Sequence, residues 1–135
     1  MALLLLGLAV LLAVCGYTSQ LISWRPGYID HLAAQGLYVV QFDNRDAGLS
    51  TKLDGYKAYL EKVWTAVLTG RQPDVPYTLS DMAADGIGLL DHLEIDRAHV
   101  IGVSMGGMIG QVMAIEHPDR MRSLTSIMST TGARD

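Results

Sequence analysis

Ser104 stands within Gly102-Val103-Ser104-Met105-Gly106, where an apolar run from His99 to Val103 gives way to a helical pattern. A serine hydroxyl is a weak nucleophile. A chain that uses one must hold it clear of its neighbours and set backbone N–H groups beside the oxygen that becomes negative. A sharp strand-to-helix turn, a nucleophile elbow, does both. Gly102 and Gly106 lack a Cβ, so strand and helix can approach closely around Ser104, and the next N–H, that of Met105, points to where an oxyanion would form. The N-terminus of the following helix adds favourable potential for that charge. In a chain with 14 glycines the spacing alone is a weak signal. Its context is specific, because Val100 to Val103 read as a strand and Met108, Ile109, Val112 and Met113 mark one helix face before Pro118. The bland alternative is a Gly-rich strand-helix turn whose serine only satisfies local backbone.

The elements that must position Ser104 read as alternating strands and helices. A loop from Gly16 through Trp24 leads to Pro26 and a short helix carrying Ile29, Leu32 and Ala33, closed by Gly36. Leu37 to Phe42 form a second strand, and Asp43 to Ser50 a polar turn at its carboxyl end. Tyr56, Tyr59, Leu60, Val63 and Val67 recur at helical spacing and predict an extra amphipathic helix over 55–70, packed against the domain. Pro73 and Pro76 then break the chain before Thr78-Leu79-Ser80-Asp81, a capping-box start to a helix bearing Met82, Leu89, Leu90 and Leu93. After the elbow, Met121 to Met128 form a last strand. This alternation predicts an α/β fold, a parallel sheet wound by right-handed crossovers with helices on both faces, in a single domain over 1–135.

Composition narrows the function. The 135 residues are 50% hydrophobic, which excludes a disordered chain. Ten Lys and Arg against fourteen Asp and Glu give a net charge of -4 with the basic residues scattered, so no nucleic-acid partner is expected. One cysteine, Cys15, forms no internal disulfide, and no Cys/His spacing resembles a metal site; neither a metal nor a cofactor is expected.

The first 17 residues are almost wholly apolar and carry no charge. Three readings compete on the residues alone. A signal peptide normally has a basic start, which is missing, and Val14 is large for a cleavage site before Cys15. A membrane anchor through residues 1–16 wants a slightly longer run. A central parallel strand over Leu11 to Cys15, buried on both faces, would also be continuously apolar.

These residues resemble the α/β-hydrolase fold family, in its esterase-like and methylesterase-like branch. Phe42-Asp43-Asn44-Arg45-Asp46-Ala47-Gly48-Leu49-Ser50 looks like that branch's turn after the fourth strand. Gly102-Val103-Ser104-Met105-Gly106-Gly107 looks like its elbow, and Val14-Cys15-Gly16 with Ser19-Gln20-Leu21 and Trp24 is similar to its oxyanion loop. That register selects the strand over the other two readings and a cytoplasmic protein over an exported or anchored one. By the resemblance, the N–H of Tyr17 is the second oxyanion donor beside that of Met105, Cys15 is a packing group, and Asp43 and Asp46 shape the loop.

The family places the acid and the histidine of its triad after later strands. Here His31, His92 and His99 precede Ser104, and His117 ends the helix that follows it. These four are expected to be structural or surface residues. The resemblance therefore implies the amino-terminal part of a longer hydrolase, a partial fold without the later strands and the lid. The expected function is a serine hydrolase of carboxylic esters, acting on a small-molecule ester through a Ser104 acyl-enzyme and at most feeble as this chain. The alternative is a non-catalytic relative that binds a small apolar ligand or a partner chain. Such a truncated relative would expose a sheet edge that invites self-association.

Overall fold

Leu11, Leu12, Ala13 and Val14 follow one another without a polar side chain, and only a strand covered on both faces buries such a run. In the computed structural model of the chain, which describes residues 8–55, 60–71 and 73–131, this run forms the centre of a parallel sheet. Its strand β1 (Ala9–Val14) lies between β2 (Leu37–Gln41) and β3 (Ala98–Val103), with β4 (Met121–Ile127) beyond β3. Leu12 sets the register, opposite Val40 on one side and Val100 on the other. Successive residues of β1 point to opposite faces. Val10, Leu12 and Val14 pack with Met82, Leu90, Ile109 and Met113, which belong to α3 (Leu79–His92) and α4 (Met105–Glu116). Leu11 and Ala13 pack on the other face with Ile101, Trp24 and Leu32, the last from α1 (Pro26–Ala34). Helices thus cover both faces, as the alternation predicts.

The bounds differ from the sequence reading in physically instructive ways. β1 starts at Ala9, because its pairing with β2 extends to Leu37, and it ends at Val14, before Cys15. β2 stops at Gln41 rather than Phe42, where the polar turn begins to draw the chain away. β4 ends at Ile127 rather than Met128, whose φ of 48 breaks the extended backbone. Leu93 caps α3 rather than belonging to it. The extra helix is α2 (Leu60–Leu68); Tyr56 and Tyr59 lie outside the described residues.

Local chemistry fixes the helices on the site's side of the sheet. Thr78 starts α3: its N–H donates to an Asp81 carboxylate oxygen at 2.7 Å, and the Asp81 N–H donates to the Thr78 hydroxyl at 3.3 Å. Ser80 ties the start of α3 to the end of α4 by donating to the Glu116 carboxylate at 2.6 Å. Among the described residues no helix is long and apolar enough to cross a membrane.

Candidate active site

Ser104 lies between β3 and α4 with φ 55 and ψ -120, a backbone conformation that costs a non-glycine residue about 1–3 kcal/mol. The surroundings over-determine it. The Ser104 N–H donates to the Ile127 carbonyl at 2.9 Å, and its own carbonyl accepts the N–H groups of Gly107 at 2.9 Å and Met108 at 3.3 Å. A Cβ on Gly102 would strike the carbonyl of Gly106, and one on Gly106 would strike the carbonyl of Val14. The turn is therefore pressed between its own helix and the end of β1, and the exposed Ser104 side chain is carried at the carboxyl end of the sheet.

The loop after β1 runs beside this serine. A Cβ built on Gly16 would lie 3.3 Å from the Ser104 Cβ and 3.8 Å from its Oγ. The Gly16 carbonyl accepts the Ser19 N–H at 3.3 Å. In a trans peptide the N–H points opposite to the carbonyl, so the N–H of Tyr17 is turned outward from this tight turn. Among the described residues neither the Tyr17 N–H nor the Met105 N–H has a hydrogen-bond partner. The Tyr17 side chain is 75% exposed, so only its backbone belongs to the arrangement.

Two clefts flank the serine and its loop. One of about 300 Å³ is walled by Cys15, Ser19, Ser23, Trp24 and Val103 beside Ser104. Another of about 520 Å³ takes in Tyr17 and Met105 with Tyr77, Met82 and Arg45. Burial pushes the Cys15 thiol up, the Trp24 indole pulls it back, and the Asp43 charge pushes it up again. A buried thiol held protonated packs rather than attacks. The buried Trp24 N–H has no hydrogen-bond partner among the described residues, and the indole stacks on Tyr28 at 6.0 Å.

Sequence reasoning alone does not reveal what the polar turn after β2 holds. Asp43 and Asn44 are buried. Asp43 accepts the Leu21 N–H at 2.7 Å and the Leu49 N–H at 3.0 Å, and these bonds, that from Leu21 first, hold its carboxyl below the usual carboxylate range. Asn44 donates its side-chain amide to the Cys15 carbonyl at 3.0 Å. Arg45 grips Asp85 of α3 through two bonds, at 2.6 and 2.7 Å, and lies over the Tyr77 ring at 5.2 Å. Asp46 accepts the Leu53 N–H at 2.7 Å. Asp43 and Asp46 thus shape the loops, as the resemblance implies. The signal in the sequence is a cluster of Asp and Asn, residues that bond backbone, directly after a buried strand.

The four histidines lie elsewhere. His31 is in the last turn of α1, His92 ends α3 and His117 caps α4. His99, the second residue of β3, has its Nδ1 2.7 Å from the Ser123 hydroxyl. None of them hydrogen-bonds Ser104. Among the described residues no group of His, Cys, Asp and Glu could hold a metal ion.

The chain as a whole is similar to known proteins. A sequence model described as the alpha/beta hydrolase fold matches residues 9–133. The rhodomycin D methylesterase DnrP of Streptomyces peucetius is 32% identical over 127 residues, which are 94% of this chain and 36% of that protein. Among solved structures, a hydrolase from Pseudomonas aeruginosa PA01 aligns with a TM-score of 0.68 at 26% identity, over 94% of this chain and 40% of its own. The enol-lactonase from Burkholderia xenovorans LB400 aligns with a TM-score of 0.64 at 25% identity, over 87% of this chain and 37% of its own. The chain spans little more than a third of the length of the methylesterase it matches. Its strand order, its elbow and a family match along nearly all of its length place it in the α/β-hydrolase fold family.

Proposed function

We propose that this chain carries the nucleophile and the oxyanion hole of a hydrolase that cleaves carboxylic esters. The Ser104 Oγ attacks the ester carbonyl carbon, and the carbonyl oxygen takes up negative charge between the N–H groups of Tyr17 and Met105. Collapse of the tetrahedral intermediate expels the alcohol and leaves an acyl-serine, which water then hydrolyses. The proton leaving Ser104 needs a general base, and the four histidines are not placed to take it. Oxyanion stabilisation and binding without a base still accelerate such reactions about 10³-fold over water, so turnover by these residues alone is feeble. The methylesterase and the lactonase among the relatives support an ester or cyclic ester as the substrate class.

The observation that carries this reading is a serine held at φ 55 beside the Gly16 loop, with the N–H groups of Tyr17 and Met105 left without partners among the described residues. A fluorophosphonate tests it, because its phosphorus accepts the serine oxygen and loses fluoride. Intact-mass analysis is expected to show one phosphonyl adduct, located at Ser104 and missing from Ser104→Ala. A folded chain that takes up no reagent, or a Ser104→Ala variant that takes up as much, rules out the nucleophile and leaves a non-catalytic binding protein.

A further inference from the structure

The loop that carries the Tyr17 N–H is tied at both ends by two adjacent residues of another segment. At its start the Cys15 carbonyl accepts the Asn44 amide at 3.0 Å. At its end the Leu21 N–H donates to Asp43 at 2.7 Å, while the Leu21 carbonyl accepts the Gln41 side chain at 3.2 Å. Asp43 and Asn44 are 7% and 4% exposed, and they are the buried polar residues among those described. Buried polar groups persist where their partners are fixed, since an unpaired one is left desolvated without compensation. Here both address the same loop.

We infer that Asn44 is a positioning residue for the oxyanion hole, acting through the Cys15 carbonyl, with Asp43 fixing the far end of the loop at Leu21. The inference rests on reading the Tyr17 N–H as an oxyanion donor. Its physical content is a chain of peptide planes. Asn44 fixes the Cys15–Gly16 peptide by its carbonyl, and Ser19 fixes the next one, Gly16–Tyr17, by its carbonyl. Two consecutive planes are therefore set, and the outward direction of the Tyr17 N–H follows from them. Gly16 has no side chain to brace it, and its Cα lies against Ser104, so the amide of Asn44 supplies a restraint that this stretch lacks. A donor that drifts by about 1 Å loses much of its value to a developing charge, on the order of 10²-fold.

The test compares Asn44→Ala with Thr78→Ala, a control that loses stability at a helix cap away from this loop. Two readouts are taken on each folded protein: the backbone resonances of Cys15, Gly16 and Tyr17 by NMR, and the rate at which Ser104 takes up a fluorophosphonate. The expected result for Asn44→Ala is a shift of the Cys15 carbonyl and of the Gly16 and Tyr17 amide signals, with labelling slower by about tenfold or more. Thr78→Ala leaves those signals and that rate unchanged. If Asn44→Ala does not fold, Asn44→Ser, whose hydroxyl is too short to reach the carbonyl, is read in its place. Unmoved Gly16 and Tyr17 signals overturn the inference, as does labelling at the wild-type rate. Should the wild-type chain take up no reagent, the ester-hydrolase reading fails, and the NMR signals alone decide whether Asn44 sets the loop.

Discussion

Ser104 sits in a strained backbone that its neighbours hold in place. Its φ of 55 is tolerated only because its N–H is fixed by Ile127 and its carbonyl by Gly107 and Met108. Glycine adopts such a backbone with little strain, whereas alanine meets the same steric conflict as serine. Ser104→Gly is therefore expected to be more stable than Ser104→Ala by about 1–2 kcal/mol, the strain less the larger loss of backbone entropy. Urea unfolding of the two variants measures it, and equal midpoints would limit the strain to the entropy cost of glycine, about 0.5–1 kcal/mol. The Asp43 carboxylate takes two backbone N–H groups and is held below its usual range, so it works as a structural acceptor rather than a base.

At the scale of elements, α3 is the support on which the site's side of the sheet rests. Met82, Ala83, Ile87 and Leu90 bury one face of it, and Arg45 reaches across to Asp85. Its start depends on the reciprocal bonds of Thr78 and Asp81, whose carboxyl is lowered first by the Thr78 N–H and then by the Thr78 hydroxyl. Thr78→Ala is expected to lower stability by about 1 kcal/mol without altering the reactivity of Ser104. Chemical denaturation with fluorophosphonate labelling checks both halves, and a large loss of labelling would mean that α3 positions the site directly. These elements were legible in the sequence because each has a local cause: the apolar run of β1, the Thr78 cap, and the helical face of α4. The turn at Leu21–Ser23 was not, since a single 3₁₀ turn is too short to show a period. Nor were the bonds of Asn44 to Cys15 and Arg45 to Asp85, because partners so far apart in sequence meet only once the sheet has formed. The elbow was readable as a motif, whereas the clamp on its neighbouring loop exists only in three dimensions.

For the whole molecule, the winding of the sheet decides which residues can ever meet. Four parallel strands end on one side, and the helices that connect them run back the other way. Ser104, the Gly16 loop and the Asp43 turn follow strand ends and so gather at the carboxyl edge, where open parallel sheets build their sites. Every histidine lies toward the opposite edge: His31, His92 and His117 at the ends of helices that run there, and His99 near the start of β3. At ~3.3 Å per strand residue His99 is roughly 16 Å from Ser104, and the rise along α4 carries His117 roughly 18 Å away. Neither distance can be closed without unwinding an element. Replacing each histidine with glutamine is therefore expected to leave the fluorophosphonate labelling of Ser104 within about twofold, whereas loss of a true general base costs on the order of 10²- to 10⁴-fold. A hundredfold loss in any one variant that keeps its fold would place that imidazole at the serine and overturn the topological argument. Unchanged rates in all four would show that none of these histidines serves Ser104 as a base.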